Sequence, residues 1–183
     1  MRTLSDHIFD LAQNSVNAES RNIHIVVEED LSKNLFRITI EDDGFGIQPQ
    51  NLDRSKDTFF TTRPSTVRNV GMGLSLMDAA CQRSGGQLTV ESRYRHGTVV
   101  SATMEHDNID RTPLGDIADL FTSLMMSTVE NKVIWTLEHV VDSRGYILRN
   151  RRTMDEMNIL SYAEAGVRDM LYEHIAAKEK GLH

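Results

Sequence analysis

The sequence predicts an α+β protein in which helices and short strands take turns along the chain. Three observations carry that prediction. A stripe of Leu4, Ile8, Leu11, Ser15 and Ala18 recurs at helical spacing. Two alternating runs rich in β-branched residues follow, NIHIVVEE (22–29) and LFRITIE (35–41). Helical and strand periods then alternate again to about residue 178. The 183 residues are 39% hydrophobic and 26% charged, which supplies one full core and argues against a disordered chain.

Thr3 followed by Asp6 gives the first helix the pattern of a capping box. On another face of that helix, Asp10, Asn14 and Asn17 align at i, i+4 and i+7. EDLSKN between the first two strands reads as a hairpin loop, and residues 42–70 read as a long loop. Residues 71–83 form a helix with a glycine-rich start, carrying Leu74, Leu76, Met77, Ala80 and Cys81. Gly85-Gly86 turns the chain into a strand over 87–92, and Gly97 precedes another over 98–104. HDNIDRTP (106–113) is polar, ends in proline and marks the boundary. Beyond it, residues 114–127 predict a helix with Ile117, Leu120, Phe121 and Leu124 on one face. Strands at 132–141 and 145–150 are joined by Asp142-Ser143-Arg144-Gly145. Ser161 is expected to cap a last helix running to about Lys178, with Val167, Met170, Leu171, His174 and Ile175 inward. The expected division is a domain at 1–105 and a helix–hairpin–helix appendix at 106–183 that packs on it and serves partner interaction.

Charge and composition exclude several classes. Twenty Lys and Arg stand against 27 Asp and Glu, a net charge of −7. That argues against sequence-independent nucleic-acid binding, which needs a basic face. Cys81 is the one cysteine, so neither a disulfide framework nor a Cys-rich zinc site is expected. The start, MRTLSDHIFD, reaches acid at its sixth residue and is expected to carry no signal peptide. No apolar run approaches the roughly 20 residues of a membrane span. A soluble cytoplasmic protein, without membrane or nucleic-acid partners, is the expectation.

Four segments carry chemistry. In DLAQNSVNA (10–18), Asp10 and Asn14 project from one helix face. An Asn oxygen with waters and phosphate oxygens suits Mg²⁺, and a carboxylate one turn away can orient or deprotonate a nucleophile; a solvated helix face accounts for the same pair. In EDDGFGI (41–47), Gly44 and Gly46 let a flat ligand approach, and Asp42 can accept from an exocyclic amine; a plain acidic turn is the alternative. In VGMGLSL (70–76), Gly71 and Gly73 open a helix whose N–H groups favour phosphate. It is neither GxxxxGK[ST] nor GxGxxG. FFTTR (59–63) lies in the long loop, where Arg54, Lys56, Arg63 and Arg68 face only Asp57 as counter-charge within 54–68. A basic lid suits a polyphosphate.

Taken together, Asp-x-x-x-Asn, Asp-x-Gly-x-Gly, Phe-Phe-Thr-Thr-Arg, Gly-x-Gly-Leu-x-Leu and a strand opened by Gly-Thr occur in that order. The set closely resembles the histidine kinase-like ATPase superfamily, which includes sensor histidine kinases, anti-sigma-factor kinases, mismatch-repair ATPases, type II topoisomerase ATPase subunits and heat-shock chaperones. The resemblance covers residues from about 4 to 105. It implies a two-layer α/β sandwich, a mixed sheet covered by helices (the Bergerat fold), with ATP between the first helix and the lid and Mg²⁺ bridging the phosphates. It further implies Asn14 as metal ligand and Asp42 as the acid that reads adenine, with Gly44 and Gly46 shaping the pocket. Gly71, Gly73 and Leu74 fall in the phosphate segment, Thr98 supports adenine, and Arg63 is the lid residue for phosphate. Asp10 stands where the hydrolysing and Ser/Thr-kinase branches usually carry a Glu base and sensor histidine kinases an Asn. Asn17 stands where many histidine kinases have Lys.

DRTPLGDIADLFTSLM also resembles the tail of small stand-alone ATP-binding proteins of anaerobic bacteria, often encoded beside iron hydrogenase or NADH-oxidising subunits. The expected function is therefore transfer of the γ-phosphoryl group of ATP to a partner protein, with Asp10 activating the acceptor. The alternative is an ATP-dependent switch that binds a redox enzyme without phosphorylating it. A homodimer stays open. His106-Asp107 with Arg111-Thr112-Pro113 approaches the phosphoacceptor pattern His-Asp-x-Arg-Thr-Pro, but three residues rather than one separate Asp from Arg. Trp135 and Cys81 read as packing, and Arg144, Arg149, Arg151 and Arg152 as a basic spot on the hairpin.

Overall fold

The computed structural model describes residues 3–47, 72–127 and 133–182. Its elements in chain order are α1 (Leu4–Asn17), β1 (Asn22–Asp30), β2 (Leu35–Asp42), α2 (Met72–Arg83), β3 (Leu88–Arg93), β4 (Gly97–Glu105), α3 (Ile117–Ser127), β5 (Ile134–Val141), β6 (Arg144–Arg149), α4 (Asn150–Glu156) and α5 (Val167–Lys180). The six strands form one sheet in the order β3-β4-β2-β1-β5-β6. Only β1 and β5 run parallel; the other four pairings are antiparallel. The predicted mixed sheet under helices is what the chain forms.

Period-two alternation explains the central strands. Ile23, Ile25 and Val27 of β1, Phe36, Ile38 and Ile40 of β2, and Trp135 and Leu137 of β5 are all buried on the helical face. They meet Leu4, Ile8, Leu11, Met77, Phe121, Leu124, Leu171 and Ile175 in one apolar core. Cys81 and Trp135 are buried in that core, as packing residues should be. Each strand also carries an ionisable residue on the same inward face: Asp42 ends β2, Glu29 lies near the end of β1, and His139 lies in β5.

The predicted capping box at Thr3 and Asp6 forms, with each side chain bonded to the other's backbone N–H. The next N–H groups of α1 donate to the carbonyls of Pro113 and Leu114, both at 2.8 Å. Residues beyond the predicted boundary thus satisfy donors that a helix start leaves open. The hairpin at 134–149 likewise extends the sheet, since β5 lies against β1 over eight residue pairs.

Other details correct the sequence reading. The β5–β6 turn is tighter than the four residues expected, because Val141 pairs with Arg144 and Asp142 takes φ +52°. Asn150 leaves the strand and starts α4, donating from its side chain to the Val133 carbonyl at 2.8 Å. Ser161 does not cap the last helix; its hydroxyl accepts from the Ala163 N–H, and α5 starts after Gly166 at φ +82°. Val167, Leu171 and Ile175 are buried as expected, whereas Met170 is 48% exposed. No helix among the described residues is long and apolar enough to cross a membrane.

Candidate functional site

The inward alternation of β2 leaves Asp42 as the last side chain on the buried face, 9% exposed. Its carboxylate has three donors. The Ser15 hydroxyl, from the buried face of α1, donates to Oδ2 at 2.7 Å. The Ser20 hydroxyl donates to Oδ1 at 3.1 Å, and the Gly44 N–H to the same oxygen at 2.9 Å. Three bonds of this kind meet most of the cost of burying a carboxylate. Gly44 is required sterically, because a Cβ there would stand 2.4 Å from the Ser20 hydroxyl and 2.7 Å from the Ala18 carbonyl.

Asp43 points away and does different work. It accepts from the Arg21 and Asn22 N–H groups at 2.7 and 2.9 Å and from the Asn22 amide at 2.7 Å. Its partial burial opposes ionisation, but these bonds outweigh that and hold its carboxyl below the usual range. The two neighbouring acids therefore divide, with Asp42 facing inward and Asp43 pinning the chain between α1 and β1.

Thr98 is the cross-strand partner of Asp42 in the β2–β4 ladder. Its hydroxyl lies 2.9 Å from that of Ser92, which also accepts from the Ile47 N–H at 2.8 Å. Gly46 adopts φ +64° and packs where a Cβ would meet the Arg93 carbonyl at 2.5 Å. The segment after Asp42 is thus folded back onto the β3–β4 turn.

The second cluster lies where α1 meets the start of α2. A Cβ on Gly73 would stand 2.1 Å from a carboxylate oxygen of Asp10. The half-buried Asp10 therefore rests against the first turn of α2, whose N–H groups favour negative charge. Asn14, one turn further along α1, is exposed, and among the described residues its side chain has no hydrogen-bond partner. Leu74 is half-buried and packs against the core. The predicted Gly71 and Arg63 lie outside the described residues.

The structure thus brings Asp42, Gly44, Gly46 and Thr98 together at one end of the sheet, and Asp10 and Gly73 together between two helices. α1 joins the two groups: it carries Asp10 toward one and Ser15 toward the other, with Asn14 exposed between them in sequence. The arrangement offers a buried acceptor for an amine and, one helix away, an amide-lined start for an anion. Ser15, Ser20 and Ser92 were not candidates from sequence. Ser15 left one signal, a hydroxyl inside an otherwise apolar helical stripe.

Among the described residues, no three His, Cys, Asp or Glu side chains are grouped to hold a metal. Mg²⁺ needs no such group, since it borrows few protein ligands. An exposed Asn14 amide without a side-chain partner among the described residues, one helical turn from the Asp10 carboxylate, fits a largely hydrated ion.

A family model described as histidine kinase-, DNA gyrase B- and HSP90-like ATPase matches residues 2–108. Histidine protein kinase DivJ of Caulobacter vibrioides is 30% identical over 105 residues, covering 56% of this chain and 18% of its own length. Signal transduction histidine-protein kinase ArlS of Staphylococcus epidermidis is 30% identical over 88 residues, 46% of this chain and 19% of its own. The chain thus spans about a fifth of these relatives. The N-terminal domain of a DNA repair protein superposes with a TM-score of 0.57 at 16% identity, over 91% of this chain and 58% of that one. That likeness extends beyond residue 108 and concerns the fold alone.

Proposed function

The chain belongs to the histidine kinase-, DNA gyrase B- and HSP90-like ATPase family, and from that premise we propose that it binds MgATP and transfers the γ-phosphoryl group to a partner protein. The observation that carries the nucleotide reading is the buried Asp42 carboxylate, held by Ser15, Ser20 and Gly44 opposite Thr98. It accepts the adenine amine. Gly44 and Gly46 let the chain fold tightly beside Asp42 and so shape the edge of the adenine pocket, and Gly73 at the start of α2, with Gly71, receives the phosphates. Arg63 of the lid screens their charge, and Asn14 holds the ion. Mg²⁺, when bound, neutralises charge on the phosphate oxygens.

Asp10 takes the proton of the acceptor hydroxyl while its oxygen bonds the γ-phosphorus and the bond to the β-phosphate oxygen breaks. Its contact with Gly73 supports that role, because it sets the carboxylate at the phosphate end of the site. Residues 106–183 form the partner-binding segment in this reading. The protein acts in the cytoplasm, as a monomer or homodimer.

One observation favours a second reading. β1 begins at Asn22, within the Ser20–Asn22 segment that holds Asp42 and Asp43, and its residues 22–29 pair with β5. Nucleotide occupancy can therefore reach the C-terminal hairpin through a shared strand, as an ATP-dependent switch on a redox enzyme would need. Incubation with γ-labelled ATP and candidate partners separates the two. Label appearing on a partner protein supports transfer. Nucleotide-dependent partner capture with no label on any protein overturns transfer in favour of the switch.

A further inference from the structure

Resting on the ATP reading above, we propose that Ser20 is a base-selecting residue: by closing one oxygen of Asp42, it makes that carboxylate a reader of a single donor. A carboxylate offers about four acceptor places, two on each oxygen. On Oδ1 the Ser20 hydroxyl at 3.1 Å and the Gly44 N–H at 2.9 Å fill both. On Oδ2 the Ser15 hydroxyl at 2.7 Å fills one. Among the described residues a single place remains, on Oδ2. Adenine presents one amine and needs one place. Guanine presents two adjacent donors, its ring N–H and its amine, and pairs with a carboxylate through both oxygens. Here the second oxygen is closed, so one guanine donor is buried without a partner, which is costly.

The closure is built into the fold. Ser20 follows Glu19 in the left-handed region at φ +59°, which ends the α1 segment and turns the hydroxyl inward. Ser20 is 4% exposed, and the absent side chain of Gly44 is the space its hydroxyl occupies. Ser15 and Ser20 each give one bond to the same carboxylate, but only Ser20 guards Oδ1. That asymmetry separates base selection from mere support.

The test is calorimetry of the 183-residue chain with MgATP and MgGTP, comparing wild type with Ser20→Ala, Ser15→Ala and Ser20→Thr. Wild type is expected to prefer ATP. Ser20→Ala opens one place on Oδ1, so the GTP-to-ATP affinity ratio should rise about tenfold or more, the worth of one hydrogen bond to a charged group. Ser15→Ala leaves Oδ1 closed and should weaken ATP without admitting GTP. Ser20→Thr keeps the hydroxyl and should restore the wild-type ratio. Should Ser20→Ala not fold, Ser20→Cys keeps the volume with a weak donor and reads the same ratio. An equal loss of both nucleotides in Ser20→Ala, or a like rise in GTP for Ser15→Ala, overturns the proposal. Wild type binding neither nucleotide instead overturns the ATP reading beneath it.

Discussion

Asp42 and Asp10 are both carboxylates, but their surroundings differ, and so do the tasks proposed for them. Asp42 is held by two hydroxyls and an N–H, so it is fixed as an acceptor. Changing Asp42 to Asn places an amide NH₂ among those donors and removes the charge. ATP affinity should fall about 10- to 100-fold, the worth of a charge-assisted bond. Calorimetry at wild-type affinity would sink the adenine assignment. Asn14→Ala should leave metal-free ATP binding in place and remove the increase that Mg²⁺ gives, as titrations with and without the metal would show. Asp10 is held by position, against Gly73. A methyl group at 73 must push that carboxylate away. Gly73→Ala should keep ATP binding within a few-fold and lower phosphoryl transfer about 10²-fold or more, the usual worth of a positioned base. Quenched-flow rates equal to wild type would show that Asp10 does no proton work. Asp10 and Asn14 could be grouped from sequence because motif spacing reports which side chains share a helix face. The serines could not, since a hydroxyl aimed at a carboxylate 27 or 22 residues away leaves no local pattern.

At the scale of elements, α1 is the part on which both halves of the site depend. It presents Asp10 against α2, Asn14 on an exposed face and Ser15 inward, so its start must not fray. The Thr3–Asp6 box guards that start. Thr3→Ala should cost about 1 kcal/mol, seen as a lower chemical-denaturation midpoint with an unchanged slope. The central strands and this helix could be read from sequence because their periods are strong. Even the inward aim of Asp42 follows by counting in twos from Ile38 and Ile40. α4 escaped because seven residues with one buried side chain, Thr153, make no stripe. Ser161 misled because capping preference is local, whereas the chain makes further turns before Gly166 can adopt φ +82°. The β1–β5 pairing was invisible for a different reason. It joins residues 112 apart, and parallel neighbours leave no turn signal between them.

At the scale of the whole molecule, one sheet carries two buried polar centres at opposite ends. Asp42 pairs with Ile23 near one end of β1, and Glu29 lies six residues further along, about 20 Å by strand rise. At that far end, Glu29 bonds His106 at 2.6 Å and His139 at 3.1 Å. The other ring nitrogen of His139 bonds Glu179 of α5 at 2.9 Å, and the Tyr146 hydroxyl donates to the same carboxylate. Fully buried His139 has a carboxylate at each nitrogen, so it is held as the imidazolium. Burial opposes that charge, but the bonds to Glu179 and Glu29 carry the pKa up to about 9. Burial likewise opposes ionised Glu29, and its bonds to His139 and His106 hold it at about 2. The cluster ties β1, β5, β6, α5 and the turn after β4, so it fastens residues 106–183 to the sheet, and His106 serves there as a structural residue. The pH dependence has two limbs. A raised His139 stabilises fully below about 6.5 and loses its contribution as pH rises through about 9. A lowered Glu29 stabilises fully above about 4.5 and loses its contribution as pH falls through about 2. The denaturation midpoint should therefore be highest between about pH 4.5 and 6.5 and decline on both sides. His139→Gln leaves the buried Glu29 carboxylate and the partly buried Glu179 carboxylate facing a neutral amide. At pH 6 it should cost about 3–5 kcal/mol. The decline between pH 7 and 9 should flatten in the variant. An alkaline limb as steep in His139→Gln as in wild type would show that the loss arises elsewhere and that the cluster is not what fastens the C-terminal segment.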